Sequence, residues 1–484
     1  MNKKQAQEYI CSRAATIIDV GDRIWEYAET AFTEYKSVEK ICSVLEQAGF
    51  TIKKGVADID TAFTATYGSG KPVIGLLAEY DALAGLNQMG GVAEKKPTAP
   101  EDAGKPGHGC GHNCIAAGCV GAALGIKAYL EAHPDKGALV VYGCPGEEGG
   151  SGKTFMARAG VFDDCDIALT WHPSTFNTVF TGGSLANYQI HYKFYGVAAH
   201  AASVPHLGRS ALDAVELMNT GVQYLREHMP EKCRIHYAIT NSGGFSPNVV
   251  QERADVLYLI RSPRSADLEP LYERVNDIAK GAAMMTGTRV EIDFIKACCE
   301  QIKNETLEKA IYRNMQEVPL PEHTEEEYTL AQAVKATLEH YIDPFEAAVA
   351  RCGEEHRAEL TELFKNHKGL NDFLLPQFTN ENTCAWSTDV GDVTWICPTV
   401  QMACLTGAAG TPNHSWQEVT LDNTSIAHKG TIYAAKVLAG TAVDLYENEQ
   451  LRNEAKAEHL KRLNGATYKC PIPQGVKPRA IDQL

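Results

Sequence analysis

Three apolar strand candidates, the continuous run Val73–Ala78, then Gly137–Tyr142 and Asp166–Trp171, each give way to reactive side chains. The first ends in Glu79-Tyr80-Asp81, the second in Gly143-Cys-Pro-Gly-Glu147-Glu148-Gly-Gly, and the third in His172-Pro173. Runs of this length without polar alternation suit strands buried on both faces. Helical segments lie between them. The alternation predicts an α/β sheet, and in such sheets a site forms at the carboxyl ends of the strands.

The densest chemistry stands ahead of a helix. Pro106-Gly-His-Gly-Cys-Gly-His-Asn-Cys114 sets two histidines and two cysteines among three glycines, before an apolar run from Ile115 to Leu130. Cys110 and His112 are alternate residues, so an extended turn would aim both side chains at one point. Gly109 and Gly111 let the backbone come close to whatever sits there. The Ala and Gly content of 115–130 predicts a helix packed tightly on the sheet.

Apolar spacing predicts helices over 6–28 and 37–48, with Gly49 as a stop. Near residue 186 the pattern changes. Tyr188, Ile190, Tyr192 and Phe194 alternate with Gln189, His191 and Lys193, the signature of a half-exposed strand. A helix over 210–229, strands at 234–240 and 254–261, a helix at 268–285 and a strand at 288–295 complete a ferredoxin-like β-α-β-β-α-β order. At 484 residues the chain exceeds what one core usually fills. Residues 184–297 read as a second domain inserted into a catalytic domain made of 1–183 and 298–484. Residues 301–380 are charged and mostly helical, without a recognisable site pattern. A last helix is expected over 426–445, followed by a polar tail or strap.

Lys and Arg total 45 against 61 Asp and Glu, a net charge of −16 that disfavours nucleic acid or an anionic membrane as partner. The 15 irregularly spaced cysteines argue against a disulfide framework and for a reducing compartment. The N-terminus lacks the apolar core of a signal peptide, and the 115–130 run is too short to span a bilayer. A cytoplasmic location is expected.

Collected at the strand ends are Asp81, Cys110, His112, Glu147, Glu148 and His172, joined by His414 from Gly410-Thr-Pro-Asn-His414. Zinc, manganese or cobalt accepts thiolate, imidazole and carboxylate together, and the set is large enough for two divalent ions. Two ions can activate a water and polarise a carbonyl, as amide hydrolysis requires. If Glu147-Glu148 is extended, the side chains point opposite ways. One can then bind metal while the other serves as general base and passes the proton to the leaving amine.

Blander readings exist for each residue. Cys114, Cys119 and Cys144 sit in small apolar surroundings and read as buried fillers. A Glu-Glu pair is commonly a solvated face, as in Glu325-Glu-Glu327. Cys110 could instead be a nucleophile with His112 or His172 as its base. Nucleophile and base are not normally two residues apart in one turn, and that reading leaves Glu148 and His414 without a role. The metal reading is preferred.

Gly107-His-Gly-Cys-Gly-His-Asn113, Pro145-Gly-Glu-Glu-Gly149, Trp171-His-Pro173 and Ala199-His-Ala-Ala-Ser203-Val-Pro-His-Leu-Gly208 together resemble the aminoacylase/carboxypeptidase family of metal-dependent amidohydrolases. Within it they are similar to the branch of hippurate and auxin-conjugate hydrolases. Gly146-Glu-Glu-Gly-Gly-Ser-Gly-Lys-Thr-Phe155, Asn241-Ser-Gly-Gly244, Ser246-Pro-Asn248 and Ser387-Thr-Asp-Val-Gly-Asp392 resemble its p-aminobenzoyl-glutamate hydrolase subgroup.

The resemblance implies a mixed-sheet, zinc-peptidase-like catalytic domain with a lid or dimerisation insert. It implies Cys110, His112, Glu148, His172 and His414 as ligands of two metals, Glu147 as general base and Asp81 as the carboxylate orienting an imidazole. His200, Asn248 and Arg261 match positions that hold the substrate's carbonyl and carboxylate. A guanidinium at the end of its strand suits a two-pronged carboxylate clamp.

The implied reaction is hydrolysis of N-acyl or N-aroyl amino acids, p-aminobenzoyl-glutamate above all. A dipeptidase, or a weakly active partner subunit, is the alternative. The implied assembly is a homodimer or a heteromer with a related A subunit. Asn113 departs from the Asp found in most of the branch, and 301–380 is longer than compact relatives need.

Overall fold

The computed structural model describes residues 1–340 and 342–480; residue 341 and the last four residues of the expected tail lie outside the described residues. The larger sheet is built from β1 (Thr51–Lys54), β2 (Phe63–Gly68), β3 (Val73–Glu79), β4 (Ala138–Cys144), β5 (Ile167–Ser174) and β6 (Thr178–Val179). The smaller sheet holds β7 (Ala186–Tyr195), β8 (Arg234–Asn241), β9 (Arg253–Ser262) and β10 (Arg289–Cys298). The chain then returns to the larger sheet with β11 (Thr399–Leu405).

The larger sheet has the order β1-β2-β4-β3-β5-β11-β6. Its centre, β4-β3-β5-β11, is parallel, and antiparallel pairings flank it on both sides. The three apolar runs are β3, β4 and β5 of this centre, largely buried as their composition predicts. Two run further than expected, β4 to Cys144 and β5 through His172 and Pro173 to Ser174. His172 is therefore held by ladder bonds and not in a loop.

The helix His112–Ala132 crosses the sheet and is almost entirely buried. Its 21 residues would be long and apolar enough to cross a membrane, beyond the 115–130 expected, but it is a core helix covered by the protein's own elements. Close packing needs its glycines: a Cβ on Gly118 would lie 2.4 Å from the Trp171 indole nitrogen. The helices Ala14–Tyr27 and Ser425–Glu447 pack against it. The first expected helix is broken at Arg13 into Lys3–Ser12 and Ala14–Tyr27.

The smaller sheet has the order β10-β7-β9-β8, all antiparallel, with helices Ala211–Leu225 and Ser265–Thr286 between its strands. That is the ferredoxin-like connectivity. The C-terminal tail is not all irregular, because Glu449–Leu463 is a helix capped by Asn448. Beyond it the chain does act as a strap. Arg158 donates to the carbonyls of Pro473 and Val476, the Tyr468 hydroxyl donates to Asp392, and Arg479 pairs with Asp293 on β10.

Candidate metal centre

The ends of the parallel strands and one helix start converge on a single place. Gly111 adopts a left-handed φ of 67° and turns the chain into the long helix, making His112 its first residue. A Cβ there would sit 2.6 Å from the Pro173 ring, so only glycine lets this turn approach β5. The extended turn expected at 110–112 is thus a helix start. Glu147–Gly150 is likewise a helical turn, entered through Gly146 at φ 64°, and not the extended pair expected. His414 holds a left-handed φ of 59°, an uncommon state for a residue with a side chain. Its amide donates to Gly109 and to the Glu418 carboxylate.

Donor atoms of Cys110, His112 and His172 lie within 4.8 Å of one another, as do those of Cys110, Glu148 and His414, and those of His112, Glu147 and Glu148. Cys110, His112 and Glu148 each belong to two of these groups, so the three groups form one continuous cluster. The imidazoles of His112 and His172 are each oriented through the far nitrogen. His112 Nδ1 lies 2.9 Å from Asp81 Oδ1, and His172 Nδ1 lies 2.7 Å from the Pro173 carbonyl. With those nitrogens donating, both Nε2 atoms face the cluster, the arrangement that metal-binding histidines use. His172 Nε2 lies 3.4 Å from Cys110 Sγ.

The donor set fits divalent cations on three observations. His112 Nε2 and Glu148 Oε1 are buried without a hydrogen-bond partner, and His414 Nε2 approaches that Glu148 oxygen to 3.0 Å without making one. Burial and the Glu148 carboxylate push the Cys110 thiol up. Burial pulls His112 down, but Asp81, Glu79 and Glu148 outweigh it and hold the imidazole well above its ordinary range. A cation would displace both protons.

The surroundings are also rich in acid. Glu79, Asp389, Glu418 and Asp422 are buried around the cluster, and both Asp422 oxygens lack partners. Lys153, fully buried, answers part of this charge with Nζ 2.6 Å from both Glu79 and Asp389. Lys296 donates to the Glu148 carbonyl at 3.1 Å. Glu147 is pushed up to about 8 by burial, then by Glu79, Asp389 and Glu148.

The structure brings Asp81, Cys110, His112, Glu147, Glu148, His172 and His414 together. It sets His200 beside Asn248 on loops of the smaller sheet, where Ala201 N–H donates to the Asn248 carbonyl. Arg261, on β9, donates to the Ser387 hydroxyl at 2.9 Å. None of these three joins a donor group.

Sequence reading passed over Lys153, Asp389, Glu418 and Asp422. Lys153 and Asp389 stand inside the Gly-Ser-Gly-Lys and Ser-Thr-Asp motifs already singled out, which was the available signal. Glu418 and Asp422 had none, since they recur at helical spacing in an ordinary segment.

The sequence pattern of the peptidase family M20/M25/M40 matches residues 75–369. The chain is 48% identical over 465 residues to the B subunit of p-aminobenzoyl-glutamate hydrolase from Escherichia coli (strain K12), covering 96% of each chain. It shares the fold of an aminobenzoyl-glutamate utilization protein from Klebsiella pneumoniae, with a TM-score of 0.59 and 17% identity over 91% of this chain and 98% of that one. A dinuclear metal binding peptidase of the M20 family from Bacillus subtilis superposes with a TM-score of 0.54 and 16% identity, over 90% and 99% of the two chains.

Proposed function

The chain belongs to the peptidase family M20/M25/M40, and from that premise we propose that it hydrolyses p-aminobenzoyl-glutamate to p-aminobenzoate and glutamate. Other N-aroyl and N-acyl amino acids are the wider substrate class. The observation that carries the reading is the overlap of three donor groups through Cys110, His112 and Glu148, with Glu147 in one of them. It occurs in a chain that matches one chain of a known hydrolase along nearly its whole length.

In this reading Cys110, His112, Glu148, His172 and His414 hold two divalent ions, manganese, zinc or cobalt. Such ions, when bound, supply Lewis acidity toward the scissile carbonyl and acidify a water. Glu147 takes the proton of the attacking water on its carboxylate. It returns that proton to the leaving nitrogen as the C–N bond breaks, leaving a carboxylic acid and an amine. Asp81 fixes the His112 ring. His200 stabilises the oxyanion, while Asn248 and Arg261 hold the substrate's carboxylate. Arg261 suits this, for its half-buried guanidinium has an unpartnered Nε and no acidic neighbour among the described residues.

Residues 184–297 act as lid and dimerisation unit on a catalytic unit of 1–183 and 298–484. The partner is a related A subunit or a second copy. The free cysteines are in keeping with a cytoplasmic enzyme. The test is p-aminobenzoate release by the metal-loaded chain, alone and mixed with an A subunit. Hydrolysis in either case supports the reading; none in both refutes it.

A further inference from the structure

A row of aromatic rings leads outward from the metal-ligand cluster. His112 and His172 stand edge to face with centroids 6.0 Å apart; His172 and Phe180 follow at 6.2 Å, and Phe180 and Trp386 at 5.6 Å. The row opens after its first ring: the His112 side chain is fully buried, while His172, Phe180 and Trp386 are each partly open. Neither outer ring is free to drift. The Phe180 amide donates to the Gln401 carbonyl on β11, and the Trp386 carbonyl accepts from the Leu185 amide. The segment around Trp386 is further laced to residue 183 by the Cys384 and Gly183 amides. Ser387, next in the chain, carries the Arg261 guanidinium.

Edge-to-face contacts leave ring faces unused, and a third ring gains by stacking on them. The carbonyl carbon of an aroyl amide is bonded directly to its aromatic ring. A carbonyl held at the cluster therefore brings that ring within reach of the side chains bordering His172. The carboxylate of the amino-acid half lies only a few bonds away on the other side, which suits a cation on the residue next to Trp386.

We propose that Phe180 and Trp386 form an aryl-binding wall that selects substrates whose acyl group is an aromatic ring. This rests on the amide-hydrolase reading above and names the side chains that set its acyl preference. A straight-chain acyl group offers no ring face and would leave the wall wet.

The test compares p-aminobenzoyl-glutamate with N-acetyl-glutamate on the metal-loaded full chain, by calorimetric binding and by turnover, in parent, Trp386→Leu, Phe180→Leu and Trp386→Phe. The wall predicts that aroyl-over-acetyl selectivity falls about tenfold in each Leu variant, chiefly through KM, and is largely kept by Trp386→Phe. Selectivity unchanged in both Leu variants overturns the wall. The two Leu variants are independent, so one that fails to fold leaves the other to decide. If no chain cleaves either amide, alone or with an A subunit added, the hydrolase reading fails, and the binding ratio still decides the wall by the same criterion.

Discussion

Asp81 ties the two halves of the metal cluster together: one carboxylate oxygen lies 2.9 Å from His112 Nδ1, and the other accepts the Glu148 amide at 3.0 Å. One buried side chain thus orients a histidine from the helix start and a glutamate from the helical turn after β4. Asp81→Asn keeps the size and loses the charge that holds the His112 proton on Nδ1. Metal affinity should fall about 10- to 100-fold, read by competition with a chromogenic chelator. Unchanged affinity would remove Asp81 from the account.

Glu147 belongs to a donor group but is assigned the proton, not the metal. Glu147→Gln should keep the parent's metal content by elemental analysis while kcat drops about a hundredfold or more. Loss of metal with loss of activity would make Glu147 a ligand instead.

Lys153 is a buried ammonium between two buried carboxylates. Lys153→Met leaves Glu79 and Asp389 unpaired in the interior, which should cost about 3–5 kcal/mol in denaturant unfolding. A cost below about 1 kcal/mol would mean that the two acids share a proton without the lysine.

Glu34 is fully buried and accepts the Gly146 amide at 2.9 Å. Burial and the nearby Asp81 push its carboxyl up to about 8 from an ordinary 4.5. A raised acid stabilises the fold below the lower value, and that contribution is lost as pH rises through the upper one. Glu34→Gln should therefore flatten the decline in stability of the metal-free chain between about pH 4.5 and 8. Parallel curves for parent and variant would show that Glu34 ionises freely.

The five proposed ligands could be picked out because each is a thiol, imidazole or carboxylate placed where an apolar run or a glycine-rich turn stops. Such residues have few other reasons to be there. The conformation of Glu147-Glu148 was not legible, since the glycines on either side permit the left-handed entry at Gly146 that starts a helical turn. Lys153 and Asp389 meet across 236 residues of chain, and no local pattern announces a contact of that range. The helix Glu449–Leu463 escaped for a different reason. It buries little beyond Leu451, Ala455 and His459, so its apolar face is too sparse to read, and its Asn448 cap fixes where it starts.

The central claim is that metal held by these donors, and not the Cys110 thiol acting as nucleophile, drives amide hydrolysis. The direct measurement is p-aminobenzoate release from p-aminobenzoyl-glutamate by chelator-stripped chain, before and after manganese or zinc is restored, with the A subunit present if the chain alone is silent. The account predicts no release from the stripped chain and recovery with about two ions bound per chain. Release that persists in the fully stripped chain and stops when Cys110 is alkylated would contradict it.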